Sequence, residues 1–200
     1  CPIHLAAKKG HVDIFEYLIK NKADITKKGP KNKTALDIAI EKEQRGIIQF
    51  VIESDAWKTA FRVPSIENGA LDTPLRKLIR RFPDLAEEVL DHCYHVTEDE
   101  KMHVQMQFEF IEDTYNYKTV VNKKQKEDFI HFASDKFGNG ELYKTPYSNK
   151  SVQNHPMMIM ANERKLDLLQ HPLCLALMKY KWAHYGRIPY FVELFAYLAF

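Results

Sequence analysis

The sequence predicts a mostly α-helical chain of stacked helix pairs, with a small antiparallel β element ahead of a final apolar helix. Three observations indicate this class. The first 54 residues repeat at a spacing of 33, residues 104–110 alternate between apolar and polar side chains, and residues 188–200 are apolar apart from Glu193. A period of 33 is typical of two-helix units, and a period of two is typical of a strand with one buried face.

The repeat in residues 1–54 has the form of an ankyrin array. Its opening, CPIHLAA in residues 1–7, returns as TALDIAI in residues 34–40, and the turn segment of residues 10–15 returns in residues 43–48. This opening and this period are characteristic of ankyrin repeats. One helix pair cannot bury its apolar face alone, so we expect the two terminal repeats to stack and to belong to a longer array.

A weaker third copy of the opening begins at Thr73, six residues later than the period requires. Thr73 can cap a helix that begins at Pro74, and Pro83 can begin a second helix. Lys77 stands where the first repeat has a leucine. Residues 55–103 are therefore predicted to be a helical linker, a degenerate ankyrin-like helix-turn-helix that stacks on the array.

The alternating segment predicts the central β element. Its apolar side chains would fall on one face of a strand, and that face must pack on something rigid. These side chains belong to Val104, Met106, Phe108 and Phe110. We assign residues 104–153 to a strand-bearing pre-membrane segment.

Further short strands are expected near Val120 or in residues 129–132. Helices are predicted to resume near Pro156, which can occupy the first turn of a helix, and to continue with interruptions through His184. Residues 154–187 are therefore assigned to pre-membrane helices.

The final apolar segment, residues 188–200, is too short to span a bilayer, which needs about 20 residues. We expect it to be the truncated start of a first transmembrane helix. Lys179, Lys181 and Arg187 precede it, together with the aromatic Trp182. Basic residues and interfacial aromatics ahead of an apolar run are typical of the cytosolic approach to a membrane helix. The alternative is a helix buried in a protein core.

Charge and motif content exclude several function classes. The 29 basic and 27 acidic residues leave a net charge of +2, which gives no case for a nucleic-acid partner. The sequence has no glycine-rich phosphate loop, nucleophile elbow or paired-carboxylate signature. We therefore expect neither enzymatic activity nor a cofactor.

The three cysteines lie far apart and are odd in number, which fits a reducing compartment better than a disulfide scaffold. They are Cys1, Cys93 and Cys174. The single His-Cys-x-His run at residues 92–95 lacks the separated clusters that zinc sites use, so no metal site is expected.

Several sequence segments follow one another in an order that is typical of one family. They are ESDAW (53–57), DTPLRKLI (72–79), VLDHC (89–93), FEFIEDTY (108–115), NHP (154–156), LDLLQHPL (166–173), and the KW and YG pairs near residues 181–186. Together with the order of decaying ankyrin repeats, mixed structure and a first membrane helix, they resemble the ankyrin-type transient receptor potential (TRPA) cation channels. The resemblance covers nearly the whole chain and is most specific between residues 154 and 186. The sequence DTPLRK at residues 72–77 is similar to that of the invertebrate members.

The resemblance implies a homotetramer with other channel subunits, with this segment mostly cytosolic and its C-terminal end against membrane lipid. It would be the coupling region that relays a stimulus from the ankyrin repeats to the pore of a membrane channel. Phe108, Phe110 and Trp182 are the predicted coupling residues. The alternative class is an ankyrin adaptor, a scaffold for protein–protein binding.

The resemblance also suggests electrophile sensing, which requires an exposed thiolate. Cys93 and Cys174 match cysteines of the family, whereas Thr73 and Leu85 stand where sensing members have further cysteines. Leu175 stands in place of a reactive lysine. The alternative for Cys93 is a buried structural thiol.

Overall fold

The computed structural model describes residues 1–67, 70–97, 103–112, 117–121, 128–132 and 154–199. The helices in these residues are α1 (Pro2–Lys9), α2 (Val12–Lys20), α3 (Ala35–Glu41), α4 (Arg45–Glu53), α5 (Trp57–Phe61), α6 (Pro74–Arg81), α7 (Pro83–His92), α8 (Pro156–Asn162), α9 (Leu166–Gln170), α10 (Pro172–Lys181) and α11 (Arg187–Ala199). A short 3₁₀ turn covers Pro30–Asn32, and a π-helical segment, Trp182–Gly186, joins α10 to α11. The strands are β1 (Ser65–Glu67), β2 (Ala70–Asp72), β3 (Tyr94–Thr97), β4 (His103–Met106), β5 (Tyr117–Val121) and β6 (Asp128–Phe132).

The two predicted repeats are confirmed as stacked helix pairs. The inner helices α1 and α3 pack together, and the outer helices α2 and α4 pack together. Small side chains such as Ala7 and Ala39, both fully buried, let the inner helices approach closely. Phe15 of α2 meets Phe50 of α4 edge to face, with ring centroids 6.0 Å apart. Such pairs add to the stabilisation that comes from burial.

The predicted helix-turn-helix is also confirmed, and it extends the stack by a third pair. Helix α6 packs on α3, and α7 packs on α4. Leu78, Ile79, Leu85 and Val89 are completely buried in this layer. The extra residues ahead of the third pair form α5, which contacts α4 at the edge of the stack.

The β structure consists of three two-stranded antiparallel sheets within the described residues, pairing β1 with β2, β3 with β4, and β5 with β6. Short strands were expected near Val120 or in residues 129–132, and the last pair has a strand at each of these places. Residues 113–116, 122–127 and 133–153 of the assigned 104–153 segment lie outside the described residues.

The central strand is shorter than its alternating pattern predicts. Strand β4 ends at Met106, and Val104 faces its cross-strand partner Val96 with both side chains more than 40% exposed. The chain then turns, since the Phe108 carbonyl accepts hydrogen bonds from the amides of residues 111 and 112. Phe110 is therefore buried by α5 and not by the face of a strand.

The C-terminal helices follow the predicted order, and α8 packs on α6. Helix α11 has 13 residues. Among the described residues, no helix combines the length and the apolar character that crossing a membrane requires. Most of the large side chains of α11 are exposed, including Phe195 at 68% and Tyr197 at 81%.

Candidate functional site

The candidate site is a series of polar contacts that joins the repeats to the linker and the linker to the pre-membrane helices. Its first member is a buried ion pair, in which the Lys77 ammonium lies 2.6 Å from Asp37 Oδ1. Lys77 also donates to Ser65 Oγ at 2.6 Å. Asp37 is 1% exposed and its other oxygen completes the capping box of Thr34 at the start of α3. One carboxylate therefore fixes both the start of α3 and its attachment to α6.

Arg80 forms the second contact, between the linker and the pre-membrane helices. Its guanidinium donates to both carboxylate oxygens of Asp72 at 3.1 Å and to Asn154 Oδ1 at 2.6 Å. It also lies 3.9 Å from Glu163 at the end of α8. Burial raises the pKa of Asp72, and the charge and hydrogen bond of Arg80 offset this only in part. One planar side chain thus holds groups from three segments in a fixed geometry.

The third contact is the aromatic turn, by which we mean residues 107–112. Phe110 lies 5.3 Å from the ring of Trp57 and 6.3 Å from that of Phe61, both on α5. Beside it, Arg62 donates two hydrogen bonds to the Glu109 carboxylate, at 2.7 and 2.9 Å. Paired bonds of this kind set orientation as well as position, so the turn is held on α5 by packing and by a two-point polar contact.

The fourth contact joins the aromatic turn to the pre-membrane helices through Glu112. Lys181 Nζ lies 2.5 Å from Glu112 Oε1, and His155 Nε2 lies 3.4 Å from the same oxygen. Burial raises the pKa of this carboxyl, but hydrogen bonding and charge from His155 and Lys181 outweigh it, so the pKa is lowered overall. The ionised carboxylate is the form that this site stabilises.

The fifth contact joins α7 to α10. His171 Nε2 lies 3.0 Å from Asp91 Oδ1, and the His171 ring meets Tyr94 edge to face at 6.3 Å. His171 is 6% exposed. This contact fixes the start of α10 against the end of the third helix pair.

The structure brings two of the predicted coupling residues, Phe108 and Phe110, into the aromatic turn, where Phe108 is half-buried and Phe110 is 5% exposed. Trp182 lies apart from them in the π segment and is 51% exposed. Its ring packs over Gly186, where an added Cβ would lie 2.7 Å from the indole, and it meets Tyr190 at 5.4 Å. The coupling role of these three residues stays a prediction.

The two electrophile-sensing candidates are both buried thiols. Cys93 is 1% exposed and Cys174 is completely buried. Burial raises the pKa of Cys93 to about 12, with the charge of Lys58 lowering it and that of Glu109 raising it. Burial raises the pKa of Cys174 to about 11. The folded form described here therefore keeps both groups as thiols at neutral pH, and sensing would require the site to open.

The polar contacts themselves are not evident in the sequence. The sequence offers two signals for the first contact. Lys77 lies on an apolar helix face, and Asp37 stands where the repeat usually has histidine. Nothing in the sequence pairs Arg80 with Asn154, which lies 74 residues further on. In the part of the chain that the structure describes, no group of three or more His, Cys, Asp or Glu side chains could hold a metal ion.

Comparisons with known proteins relate this sequence to ankyrin repeats and to two transient receptor potential channels. The family described as "Ankyrin repeats (3 copies)" matches residues 1–61, which includes α5. The "transient receptor potential cation channel subfamily A member 1 homolog" of Caenorhabditis elegans is 34% identical over 215 residues, which cover 99% of this chain and 18% of the relative. The human "transient receptor potential cation channel subfamily A member 1" is 22% identical over 184 residues, which cover 90% of this chain and 14% of the relative.

A shorter match covers 22% of this chain and 3% of alpha-latrocrustotoxin-Lt1a of Latrodectus tredecimguttatus, with 42% identity over 43 residues. The chain thus spans less than a fifth of the length of the curated relatives that it matches along most of its sequence. Identity is higher to the nematode protein than to the human one, in agreement with an invertebrate-like sequence.

Proposed function

Because the chain belongs to the ankyrin-type transient receptor potential (TRPA) family, we propose that it is the cytosolic coupling region of a tetrameric cation channel. In this role it relays a stimulus from the ankyrin repeats to the pore and carries out no catalysis. We propose that the whole channel is a homotetramer in a membrane, and that calcium permeation and sensory transduction are properties of that whole protein.

The observation that supports this role best is the unbroken series of contacts from α3 to α10. Asp37 joins α3 to α6, Arg80 joins α6 to α8, and Asp91 joins α7 to α10. A displacement of the repeats must move these side chains or break their contacts. Packed and hydrogen-bonded chains of this kind are a physical basis for energetic coupling between distant sites.

We propose that the chain is divided into five consecutive segments with different roles. Residues 1–54 are the last ankyrin repeats, residues 55–103 the linker, residues 104–153 the strand-bearing segment and residues 154–187 the pre-membrane helices. Residues 188–200 begin the first transmembrane helix and contact lipid. The exposed apolar side chains of α11 and the basic Arg187 at its start support this last assignment.

Replacing Arg80 by methionine tests the proposal in the full-length channel. The variant keeps the apolar stem but loses the contacts with Asp72 and Asn154, so the stimulus needed for half-maximal opening should rise while single-channel conductance stays unchanged. Lys20→Met is a matched control, because Lys20 is exposed and pairs only with Glu16 one turn away on α2 in the described contacts. A change in conductance without a change in threshold would contradict the coupling role.

An ankyrin adaptor remains the second candidate, favoured by the apolar side chains that the first repeat exposes. Leu5 is 59% exposed and Tyr17 is 67% exposed. A surface of this kind can bind another protein. Cell-surface channel currents from the full-length protein would decide against the adaptor.

A further inference from the structure

Two pre-membrane helices begin with the same dipeptide, His-Pro, and the two histidines make the same contact. His155 Nδ1 accepts a hydrogen bond from the backbone N–H of Met157, and His171 Nδ1 accepts one from the backbone N–H of Leu173. Both distances are 3.2 Å. The proline between each pair has no N–H, so the histidine satisfies the first backbone donor that each helix offers.

This contact fixes the hydrogen positions on both rings. A backbone N–H can only donate, so each Nδ1 must carry a lone pair, and the neutral ring must carry its hydrogen on Nε2. His155 and His171 are therefore held in the same tautomer by the helices that they cap.

The opposite nitrogen of each ring faces a carboxylate from an upstream segment. His155 Nε2 is 3.4 Å from Glu112 in the aromatic turn, and His171 Nε2 is 3.0 Å from Asp91 at the end of α7. Each ring thus contacts the start of a pre-membrane helix with one nitrogen and a carboxylate of an upstream segment with the other, the strand-bearing segment for His155 and the linker for His171.

The charged surroundings of the two rings differ. Near His155, Glu112 also binds Lys181, and the adjacent Asn154 is held by Arg80, which lies 3.9 Å from Glu163.

Among the described contacts of the His171 ring, the titratable partners are Asp91, whose side chain is 66% exposed, and Tyr94. Both histidines therefore have a carboxylate to balance a positive charge, and His155 has cations nearby as well.

We propose that His155 and His171 are positioning residues whose protonation releases the starts of α8 and α10, so that cytosolic acid weakens coupling. This inference rests on the proposed function. A proton taken from solution binds Nδ1 and turns an acceptor into a donor that faces the backbone N–H, so the cap hydrogen bond is lost. The charged ring stays attracted to Glu112 or Asp91, so it remains with the upstream segment while the helix start loses its cap.

The test uses the full-length channel in inside-out patches, with the cytosolic face moved from about pH 7.5 to about pH 6, the range in which histidine changes charge. Asparagine caps helices through its side-chain oxygen and does not titrate in this range. The variants are therefore His155→Asn, His171→Asn and the double variant. Each response is normalised to the same variant at pH 7.5.

In the wild type, acid should raise the stimulus for half-maximal opening by about fivefold, which is the lower end of typical allosteric coupling. The double asparagine variant should lose most of this shift, and each single variant should lose part of it. His155→Ala and His171→Ala remove the caps at every pH. They should therefore raise the stimulus for half-maximal opening already at pH 7.5 and reduce the pH dependence of that value.

His11 provides the matched control. It is an exposed histidine at the N-cap of α2, and its side chain makes no capping hydrogen bond. His11→Asn should leave the acid response intact. The inference is overturned if the wild type does not respond to cytosolic acid, if the double variant responds as the wild type does, or if His11→Asn removes the response equally.

The Arg80→Met variant separates this inference from the proposed function. If Arg80→Met shifts the threshold at pH 7.5 while the double asparagine variant keeps the full acid response, only the role of the histidine caps is wrong. If Arg80→Met leaves the threshold unchanged, the coupling role itself fails.

Discussion

Glu43 adopts the left-handed backbone conformation that Gly10 adopts in the preceding repeat, with φ of 56° and 75° respectively. Both residues lie in the turn between the inner and outer helix of a repeat. Glycine takes this conformation without a steric cost, whereas a side chain makes it unfavourable. The second repeat therefore carries strain that the first avoids.

Glu43→Gly should stabilise the chain by about 1 kcal/mol, since relief of the left-handed strain exceeds the added freedom of the unfolded chain. Chemical denaturation of the purified chain measures the change. The reciprocal variant, Gly10→Ala, should destabilise it, because the new Cβ would collide with Gln44. Stabilisation by both substitutions would show that the turn does not impose this conformation.

Lys77→Met should destabilise the chain by about 3–5 kcal/mol, because it leaves the buried Asp37 without its cation. Asparagine at position 37 can keep the Thr34 cap without the charge. The double variant Asp37→Asn with Lys77→Met should therefore recover much of the loss in urea unfolding. Equal losses in the single and double variants would mean that packing, not charge, accounts for the effect.

Cys1 should react with a thiol reagent at neutral pH much faster than Cys93 or Cys174, because Cys1 is exposed and the other two are buried. All three should react at similar rates in denaturant. Mass spectrometry of the labelled peptides measures each site separately. Rapid labelling of Cys93 in the folded chain, together with a Cys93→Ser channel that no longer responds to electrophiles, would support the sensing hypothesis instead.

The raised pKa of Cys93 predicts a loss of folding stability in alkali. Its pKa is raised from 9.0 to about 12 in the folded chain, so the folded state holds the thiol proton more tightly than the unfolded state. The contribution of Cys93 is fully present below about pH 9 and declines as the pH rises toward 12. Cys93→Ala should therefore flatten the fall in unfolding free energy above pH 9, compared with the wild type.

The lowered pKa of Glu112 predicts a loss of folding stability in acid. Its pKa is lowered from 4.5 in the folded chain, so its contribution is present above about pH 4.5 and is lost as the pH falls through the folded value. Glu112→Gln should lower stability at neutral pH and reduce its decline in acid. Glu87→Gln, an exposed change on α7, is the control and should alter neither.

Phe110→Leu should shift the stimulus threshold more than Phe108→Leu, because Phe110 is the more deeply buried of the two. Each change is small in volume and should cost no more than about 1–2 kcal/mol. Patch-clamp recording should show unchanged conductance for both variants, since neither residue belongs to the pore in the proposed arrangement. A change of conductance or ion selectivity without a change of threshold would contradict the coupling role of the aromatic turn.

Periodicity predicted most of the helical fold because its signals are local. The 33-residue spacing located both repeats, and the Thr73-Pro74 opening located the third pair despite the inserted α5. The extent of β4 could not be obtained in the same way. Phe110 continues the alternation that begins at Val104, but it packs on α5 and not on the face of a strand. This tertiary contact is not visible in the sequence pattern.

The polar contacts illustrate a second limit. Arg80 and Asn154 are 74 residues apart. The sequence is equally compatible with solvent exposure of both side chains, so it does not predict their contact. The His-Pro pairs were visible as sequence segments, but only their geometry reveals that Nδ1 faces a backbone amide and that Nε2 faces a carboxylate.

The π segment between α10 and α11 has a consequence for how the two helices are aligned. A π turn contains about one residue more than an α turn, and each residue of an α-helix advances about 100° around the axis. The sides of α10 and α11 are therefore out of phase across Gly186 compared with an uninterrupted α-helix. A residue four positions beyond another does not lie above it here, so a helical wheel drawn through residues 172–199 would assign the wrong side chains to the surface that faces the linker.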